Sequence, residues 1–340
     1  MDTLALVESP AQLLHVLEWA HASRAVGRTR VVVLAPVEAT SVAQLRALTS
    51  FADRDRLHVE WFDARASTGR RLDVMKALIG PVRSCRRLVV GDPFSGMIQA
   101  LLLAGQPGEV ILVDDGTATL EFASQLASGA PLRRWDAPPS PLEVARIPLA
   151  RNAHRFFSAG RVRLFTVMPV TGLPASQVVR HDYAWTRRRF GPPRTFSGVD
   201  VVGSSLVESG VARLEPYLDA LVELAGRTGG PGRYFAHRKE SDAKLARLAA
   251  VTGLQVIRPD VPLEIELCRG PVASVLASFP SSVGYTLPLV LAGVGTRIEL
   301  QPVPTGMLTG RVGGIARRFL DRVSDDLRRA GTPVALSASV

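Results

Sequence analysis

The sequence predicts an α/β protein made of two doubly wound halves that face each other across a cleft. First, short apolar runs of strand length alternate with longer amphipathic segments along nearly the whole chain, a spacing that implies right-handed crossovers and mostly parallel sheets. Second, a stretch rich in Pro, Gly and Arg interrupts this alternation at 170–193, and the alternation then restarts. Third, 340 residues are enough for two domains of ordinary size.

We therefore predict a first Rossmann-like domain at 1–170, an interdomain connection at 171–196 and a second Rossmann-like domain at 197–340. In the first domain, Glu8-Ser9-Pro10 turns from a strand into a helix, and Pro10 suits the first helical position because its missing N–H needs no partner there. Strands are predicted at 3–7, 30–35, 57–62, 87–90, 110–113 and 162–167. Helices are predicted at 10–20, 42–51, 72–79, 94–103 and 118–127, and a loop at 128–140.

The second domain repeats the pattern with apolar residues at helical spacing between apolar strands. Strands are predicted at 199–202, 233–236, 254–257, 273–279 and 296–300. Helices are predicted at 211–225, 243–251, 287–292 and 315–329.

The composition excludes several classes of protein. No apolar run reaches the ~18–20 residues of a membrane span, and the N-terminus lacks the basic flank of a secretory signal. Cys85 and Cys268 are the two cysteines, and they indicate no disulfide framework. We therefore expect a cytoplasmic protein.

The formal net charge of +10 means net attraction to nucleic acid, an anionic membrane face or an acidic substrate. Arginine dominates the basic residues and is densest at 187–189; the alternative is that it reflects a GC-rich genome. Neither a helix-turn-helix, nor zinc-finger spacing, nor an aromatic-rich RNA-binding strand is present, so no specific nucleic-acid partner is expected. Peripheral contact with the anionic inner face of the membrane is compatible with the charge.

The strand at 110–113 ends in Asp114-Asp115-Gly116. Ligands of open parallel sheets bind beyond the carboxyl ends of the strands, and two adjacent acids repel each other, which raises the pKa of one towards that of a usable base. The alternative is a turn and helix N-cap, where Asp and Gly are common.

Two further polar clusters follow strands of the second half. His237-Arg238 offers cationic donors suited to a phosphate. Ser281-Ser282 opens a helix, where hydroxyls, free N–H groups and the helix dipole favour an anion. A hydrogen-bonded structural histidine and a simple N-cap are the alternatives. No Walker A sequence, Gly-x-Gly-x-x-Gly after the first strand, zinc spacing or Gly-x-Ser-x-Gly elbow occurs.

These three motifs resemble those of the bacterial sialyltransferases of GT-B fold, in particular the lipooligosaccharide sialyltransferase and polysialyltransferase families. Those families carry an Asp/Glu-Asp-Gly motif, a histidine motif (usually His-Pro) and a Ser-Ser/Thr motif in the same order. The opening 7–13 also looks like their Ser-Pro-x-Gln-Leu start, and Arg238 stands where proline is usual. The resemblance covers nearly the whole chain and implies a GT-B fold.

The resemblance implies an inverting transfer of sialic acid or a related ulosonic acid from a CMP-sugar to a hydroxyl of a glycan or glycolipid acceptor. Asp115 is the expected general base, with Asp114 tuning it or taking the role itself. His237, with the helix start at Ser281-Ser282, would stabilise charge on the departing CMP phosphate. Because a monophosphate leaving group carries less charge than a diphosphate, we expect no metal, and no cofactor beyond the CMP-sugar donor.

Several residues are candidates for contacts with the two substrates. By the same resemblance, Glu264 or Glu266 would bind the cytidine or its ribose; an exposed strand or helix face is the alternative for both. Ser9, Gln12 and Asp92 follow predicted strands of the first half. Together with Gly116 they are candidate acceptor-side residues, with capping or turn roles as the alternative.

Two other functions stay open. One is a GT-B glycosyltransferase that uses another nucleotide-sugar. The other is a non-catalytic basic protein that binds nucleic acid or an anionic membrane.

Overall fold

A computed structural model describes residues 2–134, 144–226, 232–310 and 313–329. The chain divides into two compact units, Met1–Trp185 and Thr186–Val340. Each unit holds one parallel sheet whose strands are connected by helices. The predicted α/β class and the two doubly wound halves are therefore confirmed.

In the first unit, the described residues form a seven-stranded sheet in the order β3-β2-β1-β4-β5-β6-β7, with every pair parallel. Its strands are β1 (Thr3–Val7), β2 (Thr29–Leu34), β3 (His58–Phe62), β4 (Arg87–Val90), β5 (Glu109–Val113), β6 (Val162–Thr166) and β7 (Val178–Arg180). Its helices are α1 (Pro10–Ala22), α2 (Ala39–Arg54), α3 (Thr68–Ser84), α4 (Gly96–Gly105), α5 (Ala118–Ser128) and α6 (Ile147–Phe156). A π-helical turn (Phe157–Arg161) and a 3₁₀ turn (Ala175–Gln177) complete it.

In the second unit, the part of the chain that the structure describes forms a five-stranded parallel sheet in the order β10-β9-β8-β11-β12. Its strands are β8 (Thr195–Val202), β9 (Arg233–Phe235), β10 (Gln255–Ile257), β11 (Val272–Ser278) and β12 (Arg297–Leu300). The helix α7 (Ala184–Phe190) spans the division between the units, and α8 (Leu214–Gly226), α9 (Asp242–Thr252), α10 (Leu263–Arg269), α11 (Val283–Val290) and α12 (Gly313–Arg329) follow. A 3₁₀ turn (Thr305–Met307) precedes α12.

The central strands are apolar on both faces, as expected where helices cover a parallel sheet from both sides. All five residues of β1 are buried, and so are the last four of β5. Each unit has its own hydrophobic core cluster. The polar residues that directly follow these strands are therefore held on rigid supports.

Several elements differ from the sequence-based expectation. The range 171–196, predicted as a connection, contains β7, which pairs with β6 in the first sheet, and the whole of α7. Three residues between Gly- and Pro-rich segments give no periodic signal, so only the pairing with β6 defines this strand. The helix α11 begins at Val283 rather than at 287, which brings Ser282 to its N-terminus. The Glu-containing segment 262–268 is largely the short helix α10, and part of the predicted loop at 128–140 lies outside the described residues.

Both sheets reverse their strand order at one place. In the first sheet the reversal lies between β1 and β4, and in the second between β8 and β11. Open α/β sheets bind ligands at such switch points, beyond the carboxyl ends of the strands. No helix within the described ranges has both the length and the apolar character that crossing a membrane requires.

Candidate functional site

Three carboxylates lie at the carboxyl edge of the first sheet. Glu8 follows β1, Asp92 follows β4 two residues later, and Asp115 follows β5. Burial raises the pKa of Glu8 and that of Asp92. The charges of Asp92 and Asp115 raise the pKa of Glu8 further, and the charge of Asp115 raises that of Asp92 against the opposing effect of Arg134. The switch point of the first unit is therefore a cluster of mutually repelling acids.

Asp115 is the half-buried acid of the Asp-Asp-Gly motif. Its Oδ1 accepts a hydrogen bond from the Oγ of Ser9 at 3.1 Å, while the same Oγ accepts the backbone N–H of Gln12 at 3.3 Å and caps α1. Gly116 then has a φ of 62°, in the left-handed region that glycine tolerates, and the chain turns into α5. Ser9 thus combines the capping role with a direct contact to Asp115.

Asp114 is fully buried, with 0% exposure. Its carboxylate accepts hydrogen bonds from the Oγ1 of Thr166 and, at 2.8 Å, from the backbone N–H of Val167. Burial raises the pKa of Asp114 to about 6, and these hydrogen bonds partly oppose the rise. Both oxygens of Asp114 are thus occupied by hydrogen bonds at the end of β6. Of the two acids of the motif, only Asp115 is accessible to solvent.

Gln12 and Asp92 also have structural partners. The Oε1 of Gln12 accepts the backbone N–H of Glu8 at 2.8 Å, and its side chain passes so close to Gly91 that a Cβ there would lie 2.2 Å from its Cγ. Asp92 accepts the backbone N–H of Phe94 at 2.9 Å and pairs with Arg134. Gln12 and Asp92 therefore both have the turn-stabilising contacts that the sequence analysis gave as the alternative to acceptor binding.

Glu8 is the residue of this edge that the sequence analysis treated only as part of a turn. It is 8% exposed, and its Oε1 accepts from Arg65 at 3.2 Å and from the Oγ of Ser95 at 3.3 Å. Burial, followed by the charge of Asp92, raises the pKa of Glu8 to about 7. A carboxyl group directly after a buried strand was the available signal, the same one that singled out the Asp-Asp-Gly motif.

Glu8 and Asp92 also line a cavity of about 580 Å³. Arginines of the first unit and the first residues of α3 and α4 form much of its remaining wall. Its volume falls within the roughly 300–1,000 Å³ of typical ligand sites.

One group of potential metal ligands occurs within the described ranges, formed by His15, Asp114 and His181, with ligand atoms within 4.8 Å of one another. The Nδ1 of His181 accepts the backbone N–H of Tyr183 at 3.4 Å, so its Nε2 carries the proton of the neutral ring, and Nε2 is the nitrogen 4.0 Å from Asp114. Burial lowers the pKa of His181 to about 3, so its ring is neutral at pH 7, the form in which a histidine binds a metal. Both oxygens of Asp114 already accept hydrogen bonds at the end of β6.

In the second unit, His237 lies two residues after β9. Burial, followed by the charges of Arg238 and Lys239, lowers its pKa to about 3. The imidazole is therefore neutral at pH 7 and not the cationic donor indicated by the sequence, and Arg238 supplies the positive charge. The Nδ1 of His237 accepts the backbone N–H of Lys239 at 3.2 Å, which assigns the proton to Nε2 and leaves that atom a hydrogen-bond donor.

The backbone of His237 is held by Glu240, which the sequence analysis did not identify. The Oε2 of Glu240 accepts the backbone N–H of His237 at 2.6 Å, and its Oε1 accepts from the hydroxyl of Tyr234 at 2.7 Å and pairs with Lys244 at 2.8 Å. Gly203 allows this packing, because a Cβ there would lie 2.4 Å from Oε2 of Glu240. The network is buried and fixes the loop after β9 against the end of β8.

Ser281 and Ser282 precede α11, as the motif requires. Ser282 occupies the N-cap position but makes no capping hydrogen bond with its side chain. The simple N-cap alternative therefore does not explain its hydroxyl, which stands at a helix N-terminus where anions bind favourably.

The two candidate glutamates on α10 have different neighbours. Burial raises the pKa of Glu264, while neighbouring Thr286 and Arg238 partly oppose the rise. Glu266 interacts instead with Asp260, Arg269 and Arg233. Glu264, which contacts α11, is therefore the one associated with the His-Arg motif.

The structure thus brings Ser9, Gln12, Asp92, Asp115 and Glu8 together in the first unit. In the second unit it associates Arg238 with Glu264, and it places His237 and the serine pair after strands of one sheet. That the two groups face each other across a cleft stays a prediction.

Comparison with known proteins gives matches among solved structures only, because neither protein-family models nor curated proteins match the chain. The chain is similar to an α/β-galactoside α-2,3-sialyltransferase from Photobacterium phosphoreum, with 12% identity, a TM-score of 0.54 and coverage of 96% of both chains. It is also similar to a putative UDP-N-acetylglucosamine 2-epimerase from Listeria monocytogenes (11% identity, TM-score 0.53, 97% of this chain and 88% of that one). A third structure is the UDP-GlcNAc 2-epimerase from Neisseria meningitidis (11% identity, TM-score 0.52, 98% of this chain and 95% of that one). At this level of identity the likeness shows the fold, and the chain has the GT-B-type fold of two Rossmann-like domains.

Proposed function

We propose that the chain is an inverting glycosyltransferase that transfers sialic acid or a related ulosonic acid from a CMP-sugar to a hydroxyl of a glycan or glycolipid acceptor. The observation that carries the proposal is Asp115. It is the member of its motif that solvent reaches, it stands beyond a central strand next to the switch point, and Ser9 orients it.

In this mechanism Asp115 takes the proton of the acceptor hydroxyl. The hydroxyl oxygen forms the new bond to the anomeric carbon while the bond from that carbon to the CMP oxygen breaks. CMP leaves with the bonding electron pair. A positioned general base of this kind contributes roughly 10²–10⁴-fold to a rate.

The second unit supplies groups suited to the leaving phosphate. His237 is neutral, so it acts by donating a hydrogen bond from Nε2. Arg238 adds positive charge. The hydroxyl of Ser282, at the start of α11, makes no capping hydrogen bond. Preorganised donors of this kind stabilise charge that develops as a bond breaks. Glu264, next to Arg238, is the proposed contact for the cytidine or its ribose.

A second candidate is action on a UDP-sugar, since two of the structures similar to this chain are UDP-N-acetylglucosamine 2-epimerases. Thermal unfolding with CMP, UDP and GDP separates the two, because only the true leaving group stabilises the folded state strongly. If UDP gives the largest shift, the CMP-sugar donor is excluded. Salt-sensitive binding of DNA or anionic vesicles without any nucleotide effect would instead support the non-catalytic alternative.

The catalytic test uses CMP-N-acetylneuraminic acid and measures release of CMP. We expect Asp115→Asn to lower turnover at least 100-fold while circular dichroism stays unchanged. Asp73→Asn is the matched control, because Asp73 is an exposed acid of the same unit on α3. Turnover of Asp115→Asn at the wild-type rate would remove Asp115 from the mechanism.

A further inference from the structure

The cavity of the first unit has an unusual set of charges. Five arginines and two carboxylates line it among the described residues: Arg65, Arg71, Arg133, Arg134, Arg146, Glu8 and Asp92. Arg65 pairs with Glu8 and Arg134 pairs with Asp92. Both carboxylates are thus already neutralised by neighbours, and the wall retains an excess of guanidinium groups.

Two of these guanidinium groups have no carboxylate partner in the described ranges, those of Arg71 and Arg133. The Nε of Arg133 is in addition buried and lacks any hydrogen-bond partner there. A buried donor without an acceptor is unfavourable, so native proteins rarely keep one that no ligand or water satisfies. Arg71 and Arg133 therefore leave positive charge in this wall that no carboxylate of the described ranges neutralises.

Two helices also begin at the cavity. Ser67 and Thr68 at the start of α3, and Ser95 and Gly96 at the start of α4, belong to its wall. Ser95 makes no capping hydrogen bond, and its hydroxyl donates to Glu8. The positive ends of both helix dipoles thus add to the attraction for an anion.

The two carboxylates restrict the kind of anion. Glu8 and Asp92 place hydrogen-bond acceptors in the same wall, so a ligand that meets them must carry hydrogen-bond donors as well as an anionic group. A sugar that carries an acidic group matches both features, because its hydroxyls donate to carboxylates and its acidic group accepts from guanidinium groups.

We infer that this cavity is a subsite for a sugar acid, and that the acceptor glycan carries a carboxylate or phosphate group which Arg71 and Arg133 bind. The inference rests on the proposed function in taking this ligand as the acceptor. Its position fits that role, since Glu8 and Asp92 of the cavity wall lie close enough to Asp115 for the three charges to interact.

The test measures the binding of glucose, glucuronic acid, glucose 6-phosphate and inorganic phosphate to the full chain at low salt, by ligand-observed NMR. The three sugars share one ring and differ at carbon 6, so the two acidic sugars separate a carboxylate from a phosphate. We expect at least one acidic sugar to bind tenfold or more tightly than glucose. Arg71→Ala and Arg133→Ala should each remove most of that preference.

Arg70→Ala is the matched control. Arg70 is exposed, precedes Arg71 in the first turn of α3 and does not line the cavity, so its replacement makes the same charge change outside the wall. We expect the preference to persist in this variant. The inference is overturned if glucose binds as tightly as both acidic sugars, if inorganic phosphate binds as tightly as they do, or if Arg70→Ala weakens binding as much as Arg71→Ala.

The test of the subsite and the test of the proposed function can give different results. Binding of acidic sugars through Arg71 without turnover of any CMP-sugar would refute the proposed function and leave the subsite in place. Transfer from CMP-sialic acid with equal efficiency to neutral and acidic acceptors would refute the subsite alone.

Discussion

Replacing Glu8 with glutamine should make the first unit more stable, and increasingly so as the pH rises from about 5 to about 8. Burial raises the pKa of Glu8 from 4.5 to about 7. Between these two values the unfolded chain has released the proton while the folded chain still holds it, so rising pH favours the unfolded chain. A tenfold change in proton affinity is ~1.4 kcal/mol, which gives about 3 kcal/mol at full ionisation. Glu8→Gln removes this penalty, because a neutral amide does not ionise.

The assay is urea unfolding followed by tryptophan fluorescence at several pH values. Three of the four tryptophans, Trp19, Trp61 and Trp185, lie among the described residues of the first unit, and none occurs after position 185 in the sequence. The signal therefore reports on the first unit. We expect the variant and the wild type to have similar free energies of unfolding below pH 4.5. Above pH 7 the variant should be more stable by up to about 3 kcal/mol.

Glu60→Gln is a control for which the expected change in stability has the opposite sign. The hydrogen bond from Arg30 lowers the pKa of Glu60, so ionised Glu60 stabilises the folded state above its unfolded pKa and this contribution is lost in acid. The control should therefore be less stable than the wild type at neutral pH. If the stability difference between Glu8→Gln and the wild type is the same at pH 5 and pH 8, the account of Glu8 is wrong.

Two further substitutions test packing around the same edge with the same fluorescence assay. Asp114→Asn should destabilise the first unit by about 1–3 kcal/mol. The amide has one acceptor oxygen in place of two and its nitrogen only donates, so either Thr166 or the backbone N–H of Val167 loses its acceptor. Equal stability of Asp114→Asn and Asp115→Asn would contradict the buried role. Gly91→Ala should destabilise by about 1–3 kcal/mol through overpacking against Gln12, and adding Gln12→Ala should recover part of the loss, so purely additive effects would refute the contact.

Much of the fold could be predicted because hydrophobic periodicity is a local property. The strand Thr3–Val7 was predicted with its observed bounds, and the end of Val162–Thr166 was predicted one residue too late. Short elements were the ones overlooked. Val178–Arg180 has three residues, and only its pairing with β6 makes it a strand. The helix Ile147–Phe156, with ten residues, was not predicted either, since no element was assigned between the loop at 128–140 and the strand at 162–167.

The candidate site was predicted in part for the same reason. Asp115, His237 and Ser282 are polar residues that follow apolar strands, and that pattern can be read along the chain. Glu8 follows a strand in the same way but was taken for a turn beside a helix N-cap. Glu240 gives no such signal, because its role depends on contacts with residues of neighbouring strands.

The amino-acid order by itself determined that strands and helices alternate in two doubly wound halves, and which polar residues stand where strands end. Only the tertiary structure decided that Asp114 is buried while Asp115 is accessible, that His237 is neutral, and that arginines of the first unit meet Glu8 and Asp92 around one cavity. The physical reason is that burial and charge interactions sum over groups far apart in the sequence, whereas periodicity is set by neighbours along the chain.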